Sequence, residues 1–146
     1  MTDVSPTHYR ASVGEADAAL DQRLSDELDR VNAAATRGTD PARELTVQVR
    51  DGEGELAAGM SGWTWGVAAG IGMTWVRDDA RGAKLGTRLL DEFEAEARRR
   101  GCTHVFVTSF TFQAPGFYER HGYREIFRWE GVPVASEADV HLRKEL

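Results

Sequence analysis

The sequence predicts an α/β fold: a mixed central sheet with a β-α-β core and flanking helices. Three observations carry this. Residues 44–50 alternate apolar and polar side chains and lead through glycine-rich turns into two further strand-like runs. Residues 85–100 repeat apolar side chains every four positions, as an amphipathic helix does. A β-branched and aromatic run follows at 103–110, so strand, helix and strand succeed one another as in a crossover with parallel strands.

The elements follow in order. Residues 8–13 are expected to form a short first strand. Residues 15–37 read as helix, with Leu20, Leu24, Leu28 and Val31 at helical spacing, ended by Gly38, Asp40 and Pro41. Residues 44–50 place Leu45, Val47 and Val49 on one side of a strand. Asp51-Gly52-Glu53-Gly54 is a hairpin turn, because glycine tolerates positive φ. The returning strand spans 55–65, a turn 66–70, and the next strand 71–76. In the helix at 85–100, Leu85, Leu89, Phe93 and Ala97 share a face with Leu90. Glu94 with Arg98 and Glu96 with Arg100 are favourably spaced pairs four residues apart. Arg98, Arg99 and Arg100 suit the negative end of the helix dipole, and Gly101 suits the residue after it. After the strand at 103–110, Pro115 opens a short helix that stops at Gly122. Residues 123–129 alternate as a strand, and 138–146 close the sheet.

Composition bounds the class. A chain of 146 residues with 41% hydrophobic and 29% charged residues is expected to fold as a single domain over 1–146 without disulfides or metal. The single cysteine, Cys102, is expected to be a buried inert thiol, consistent with a reducing cytoplasm. A net charge of -6 and the absence of a basic helix face argue against nucleic acid as a partner. The opening MTDVSPTHYR has neither a basic start nor an apolar core, so no secretory leader is read there. Residues 56–76 carry no charge and are long enough to cross a bilayer. Five glycines, few large aliphatics and the preceding Asp51, Glu53 and Glu55 favour two adjacent strands over a membrane span. Four scattered histidines without paired spacing give no metal site.

The turn before the long helix carries the chemistry. It reads Val76-Arg77-Asp78-Asp79-Ala80-Arg81-Gly82-Ala83-Lys84-Leu85-Gly86-Thr87-Arg88. A helix start presents unpaired N–H groups and the positive end of the dipole. Small residues let phosphate oxygens approach those amides. Arg81, Lys84 and Arg88 add positive charge. Local physics leaves two readings open, an anion cradle and a plain strand-to-helix turn with solvated bases. The segment is neither a Walker A loop nor a dinucleotide-binding glycine fingerprint, which argues against nucleotide hydrolysis and hydride transfer.

The segment resembles the pyrophosphate-binding motif of the GNAT family of N-acetyltransferases. That motif has a Gln or Arg, two residues, a Gly, one residue, then a Gly or Ala. Arg81 and Gly86 match its ends, and Lys84 stands where the pattern has glycine. A lysine there still offers its N–H if φ is negative; a positive φ would strain it by about 1 kcal/mol or more. A second stretch, Ala114-Pro115-Gly116-Phe117-Tyr118-Glu119-Arg120-His121-Gly122-Tyr123, is similar to the family's segment of Ala, three residues, Tyr, three residues, Gly and an aromatic. The asparagine that commonly precedes it falls at Thr111. The resemblance covers residues 44–146.

The resemblance implies direct transfer of an acetyl group from acetyl-coenzyme A to the primary amine of a small molecule, with no metal and no membrane. Homodimers are frequent in such a family. It assigns cofactor binding to Trp75, Val76, Arg81, Gly82, Ala83, Lys84, Leu85, Gly86, Thr87, Thr111, Ala114 and Phe117. The backbone of Trp75 and Val76 would pair with the pantetheine arm as an added strand. An N–H at the end of that strand would hold the thioester oxygen. Tyr118 would be the general acid toward the departing thiolate. The strand at 71–76 holds no carboxylate, so removal of the amine proton is left to water, His8, His121 or Glu125. Trp63, Trp65 and Trp129 are either acceptor-pocket aromatics or core packing. The acidic residues of the first helix, among them Asp17, Asp21, Asp26, Glu27 and Asp29, either attract a cationic amine or form a solvated face. The alternative function is a catalytically silent CoA-binding sensor on the same fold. A flavodoxin-like or nucleotide-binding domain is disfavoured by the single crossover helix.

Overall fold

The computed structural model describes residues 9–146. The chain divides into two compact units, Met1–Gly38 and Thr39–Leu146.

The first unit contains helix α1 (Ala18–Ala35). It starts after Asp17, whose Oδ1 accepts from the N–H groups of Ala19 at 3.1 Å and Leu20 at 3.0 Å. It ends at Thr36, whose N–H and hydroxyl both donate to the Asn32 carbonyl. The expected span of 15–37 is trimmed at both ends by these caps. The strand expected at 8–13 is a correction: residues 9–13 carry no regular structure, and His8 lies outside the described residues. Leu20, Leu24, Leu28 and Val31 are each more than half exposed.

The second unit is a six-stranded sheet in the order β1-β2-β3-β4-β6-β5. Strands β1 (Arg43–Arg50), β2 (Leu56–Trp65) and β3 (Ala68–Val76) form an antiparallel meander. Asp51 Oδ1 accepts from the N–H groups of Glu53 and Glu55, and Gly54 takes φ 86°, which fixes the first hairpin. The second turn is tighter than the expected 66–70, with β3 already extended from Ala68. Helix α2 (Leu85–Arg99) then crosses over to β4 (His104–Phe110), which lies parallel to β3. Helix α3 (Pro115–Arg120) leads to the antiparallel pair β5 (Arg124–Glu130) and β6 (Ala138–Glu145), with β6 inserted beside β4. The two stretches of 56–76 are therefore strands, and no helix among the described residues is long and apolar enough to cross a membrane.

The core lies between one face of the sheet and α2. Leu89, Leu90, Phe93 and Ala97 pack against Leu45, Met60, Ile71, Val105, Val107, Val140 and Leu142. Each of these side chains repays burial at roughly 25 cal/mol per Å² of apolar surface. The pair expected between Glu94 and Arg98 forms, but Glu94 has nearer partners. Its side chain is only 5% exposed and is held by Lys144 Nζ at 2.9 Å and by the Tyr123 hydroxyl, which donates at 3.1 Å; Arg98 is farther, at 3.8 Å. Glu94 thus ties α2 to β6 as a buried, hydrogen-bonded charge. Burial, then the Glu94 charge, push the Tyr123 phenol far up from its ordinary value. Cys102 is buried as expected, and desolvation pushes its thiol up.

Candidate functional site: a gap in the sheet beside two linked helix ends

β3 and β4 share hydrogen bonds only from Ala68 to Ile71 and from His104 to Val107, although β3 continues to Val76 and β4 to Phe110. The cause lies in the β2–β3 register. Ser61 pairs with Met73 but Gly62 pairs with Ile71, so Gly72 is an extra, bulged residue. A bulge bends its strand and increases its twist. It falls where β3 leaves β4, and the β4-facing edge of residues 72–76 is left without a strand partner. β2 and β3 approach so closely here that a Cβ on Gly62 would sit 2.0 Å from the Gly70 carbonyl oxygen. The bulge also resets the faces. Thr74 and Val76 pair with the core residues Met60 and Ala58, while Met73 and Trp75 turn to the outer face.

The two motif segments meet on the α2 side of this gap. A Cβ on Gly86 would lie 3.3 Å from the Phe117 ring, so glycine lets the first turn of α2 rest on α3. Thr87 Oγ1 lies 3.0 Å from His121 Nε2, and His121 Nδ1 lies 2.8 Å from the Phe117 carbonyl oxygen. A carbonyl only accepts, so Nδ1 carries the proton; in the neutral ring Nε2 then accepts from the Thr87 hydroxyl. Both ring nitrogens are engaged, which makes His121 a clamp between α2 and α3.

Ahead of α2, Gly82 takes φ 91° and Lys84 takes φ 56°, ψ 30°. Lys84 is the one non-glycine with positive φ among the described residues. No protein acceptor engages the N–H groups of Leu85, Gly86 or Thr87 among the described residues. A Cβ at Gly82 would meet nothing within 4 Å. Small residues, free amides and a left-handed turn together fit an anionic group. Arg81 is exposed beside this loop and pairs with Asp78 at 3.0 Å. Arg77 pairs with Asp51 at 2.9 Å and with Asp79, anchoring the loop's start to the first hairpin. The Arg77 hydrogen bond holds the Asp51 carboxyl below its ordinary value. Arg88 lies one turn on and lines a polar groove of about 610 Å³ between β1 and α2.

Tyr118 bridges from α3 to the far side of the gap. Its hydroxyl donates to Thr74 Oγ1 at 3.2 Å, its ring is 6% exposed, and it meets Phe117 and Tyr123 edge-on. Burial pushes this phenol up, against a smaller opposite effect of the Thr74 hydrogen bond. The phenol is therefore held protonated. Thr74 is the residue that the sequence reading missed, because its facing depends on the bulge at Gly72.

The remaining candidates are scattered. The Thr111 hydroxyl donates to the Glu137 carboxylate and its N–H to the Ala138 carbonyl, so Thr111 ties β4 to the turn before β6. Ala114 donates its N–H to Ser109 Oγ at the start of α3. Glu125 pairs with Arg128 at 2.7 Å. Trp63 and Trp129 stand on β2 and β5, four strand spacings or roughly 19 Å apart, and Trp65 sits at the opposite end of β2 from the gap. They do not line one pocket. Trp63 instead covers Gly70, where a Cβ would come within 2.4 Å of its ring.

The profile of the Acetyltransferase (GNAT) family matches residues 11–123. The chain belongs to this acetyltransferase family. Over 75 residues it is 48% identical to a blasticidin-S acetyltransferase of Streptomyces morookaense, a match covering 49% of this chain and 53% of that relative. It is 29% identical over 111 residues to an acetyltransferase of Agrobacterium fabrum, covering 76% of this chain and 80% of the relative. A crystal structure of an acetyltransferase from Bacillus cereus superposes with a TM-score of 0.78 at 27% identity, over 93% of this chain and 98% of that one. As a GNAT acetyltransferase by family, the chain has the mixed α/β fold expected from its sequence.

Proposed function

We propose that this chain acetylates the primary amine of a small molecule by direct transfer, with the acetyl-CoA thioester lying in the gap between β3 and β4. The observation that carries this is the Tyr118–Thr74 hydrogen bond, which sets a protonated phenol across that gap. The free amides of Leu85, Gly86 and Thr87, with Arg81, Gly82, Ala83 and Lys84 before them, hold the pyrophosphate. The unpaired edge of β3 at Trp75 and Val76 receives the pantetheine arm as an added strand. Ala114 and Phe117 pack beside it. Thr111 acts through the turn it ties rather than through its hydroxyl, which Glu137 occupies.

The chemistry needs a polarised thioester and a protonated leaving group. A backbone N–H on the open edge of β3 supplies the first. Tyr118 supplies the second: as the C–N bond forms and the C–S bond breaks, its O–H donates to the thiolate sulfur. The antibiotic named for the Streptomyces relative makes blasticidin S the first acceptor to test. Release of free CoA thiol from acetyl-CoA, followed with blasticidin S, kanamycin, tryptamine and spermidine, tests the reading. Turnover with at least one amine is expected. Tight acetyl-CoA binding without turnover across the panel would favour the silent sensor.

A further inference from the structure

Acetyl transfer leaves one proton unassigned. A primary amine near neutral pH is mostly an ammonium, and nitrogen attacks only after that proton has gone. β3 carries no carboxylate, His121 is engaged at both nitrogens, and Glu125 is paired. His104 stands at the far end of β4, beside Thr103 and Glu145. One described imidazole remains.

His141 lies on β6, opposite Thr108 on β4 and Phe127 on β5. Val107, the residue before Thr108, is the last that β4 pairs with β3. His141 is therefore level with the opening of the gap and one strand removed from it. Alternation puts it on the outer face: its neighbours Val140 and Leu142 are buried in the core, whereas His141 is a third exposed. The acceptor would approach on this face, since α2 and α3 cover the other.

His141 is also oriented. Its Nε2 lies 3.1 Å from Asp139 Oδ2. A carboxylate accepts, so Nε2 carries the proton and Nδ1 keeps its lone pair, with no protein partner among the described residues. The other oxygen of Asp139, Oδ1, is buried without a hydrogen bond. The carboxylate's described hydrogen bonding is thus directed at this ring. Phe127 packs edge-on against the imidazole at 5.6 Å, and Trp129 packs on Phe127 at 5.2 Å. Both aromatics are about half exposed and form a wall on which an organic cation can rest. The charged groups facing this spot are Asp139 and Arg143 on β6 and Arg124, opposite Arg143, on β5. β4 contributes Phe106, Thr108 and Phe110, none of them charged.

We infer that His141, set in its Nε2–H tautomer by Asp139, is the base for the acceptor amine. Nδ1 takes a proton from the ammonium, directly or through one water, and Asp139 stabilises the imidazolium formed. The freed nitrogen lone pair forms the C–N bond while C–S breaks. The nitrogen's surplus proton restores the phenol that protonated the thiolate, and His141 returns its proton to solvent. Asp139 is a positioning residue. This inference rests on the acetyltransfer reading.

The test compares pH profiles of kcat/KM for the full chain, His141→Gln and Asp139→Asn, using the best amine of the panel. The wild type is expected to show an acid limb. His141→Gln should lose that limb and about 100-fold in rate, while retaining acetyl-CoA-induced thermal stabilisation. Asp139→Asn should lower the rate as well. Imidazole added to His141→Ala should restore part of it. A wild-type rate and profile in His141→Gln would overturn the inference. So would a lost rate with an unshifted profile and no rescue by imidazole, which marks a structural role. A wild type silent with every amine would overturn the acetyltransfer reading itself, and this base with it.

Discussion

Lys84 sits at φ 56° where the related motif has glycine. The left-handed region crowds a Cβ against the following carbonyl, at a cost of roughly 1–2 kcal/mol. The lysine persists because the turn into α2 dictates this conformation, and it adds a cation beside the free amides. Lys84→Gly removes both. Its native strain vanishes while its unfolded chain gains freedom, so the net gain in stability is expected to be about 0.5–1 kcal/mol in chemical denaturation. Arg81→Glu acts on charge alone, since this side chain is exposed and its one described partner is Asp78. It should abolish the stabilisation that acetyl-CoA confers in thermal unfolding. Unchanged stabilisation would move the pyrophosphate away from this loop.

Glu94 shows why α2 and β6 hold together. The helix presents its carboxylate into the core, where Lys144 and the Tyr123 hydroxyl satisfy it. Lys144→Met would leave that carboxylate with the phenol and a distant Arg98. Removing one member of a buried pair strands the other charge, and the partial exposure of Lys144 moderates the cost to about 2–3 kcal/mol. Urea unfolding measures it, and an unmoved midpoint would show that water reaches Glu94. The same element shows where periodicity misleads. Glu94 and Arg98 have the spacing of a surface pair, yet Glu94 neighbours the apolar stripe, and only the β6 lysine across the fold reveals its burial. The helices themselves are legible because Leu85, Leu89, Phe93 and Ala97 recur at helical period and Pro115 and Gly122 bound α3. The strand expected at 8–13 is absent over its described residues, 9–13, which pair with no strand of the sheet.

At the scale of the whole molecule, two buried phenols join α2, α3 and the sheet. Both Tyr118 and Tyr123 are pushed up from the ordinary value of 10.0, mainly by burial. A phenol raised in the folded state contributes stability that is intact below the unfolded value and is lost as pH rises above it. The chain should therefore unfold cooperatively in base, losing up to about 1.4 kcal/mol per pH unit for each phenol above pH 10. Thermal unfolding midpoints between pH 8 and 11.5 check this; a flat profile would mean solvated phenols. The parallel pair, the crossover helix and both motif segments were readable from residue type and spacing. The gap was not, because it arises from the extra residue Gly72 and from the β2–β3 register, which no single segment encodes. Thr74 and the Thr87–His121 clamp were hidden for the same reason, being contacts between elements. The central claim is that Tyr118 acts on the reacting group in that gap. Its most direct test is kcat for CoA release by Tyr118→Phe, measured beside its acetyl-CoA affinity. We predict that kcat falls at least about 10-fold with affinity unchanged; a variant as fast as the wild type would contradict the account.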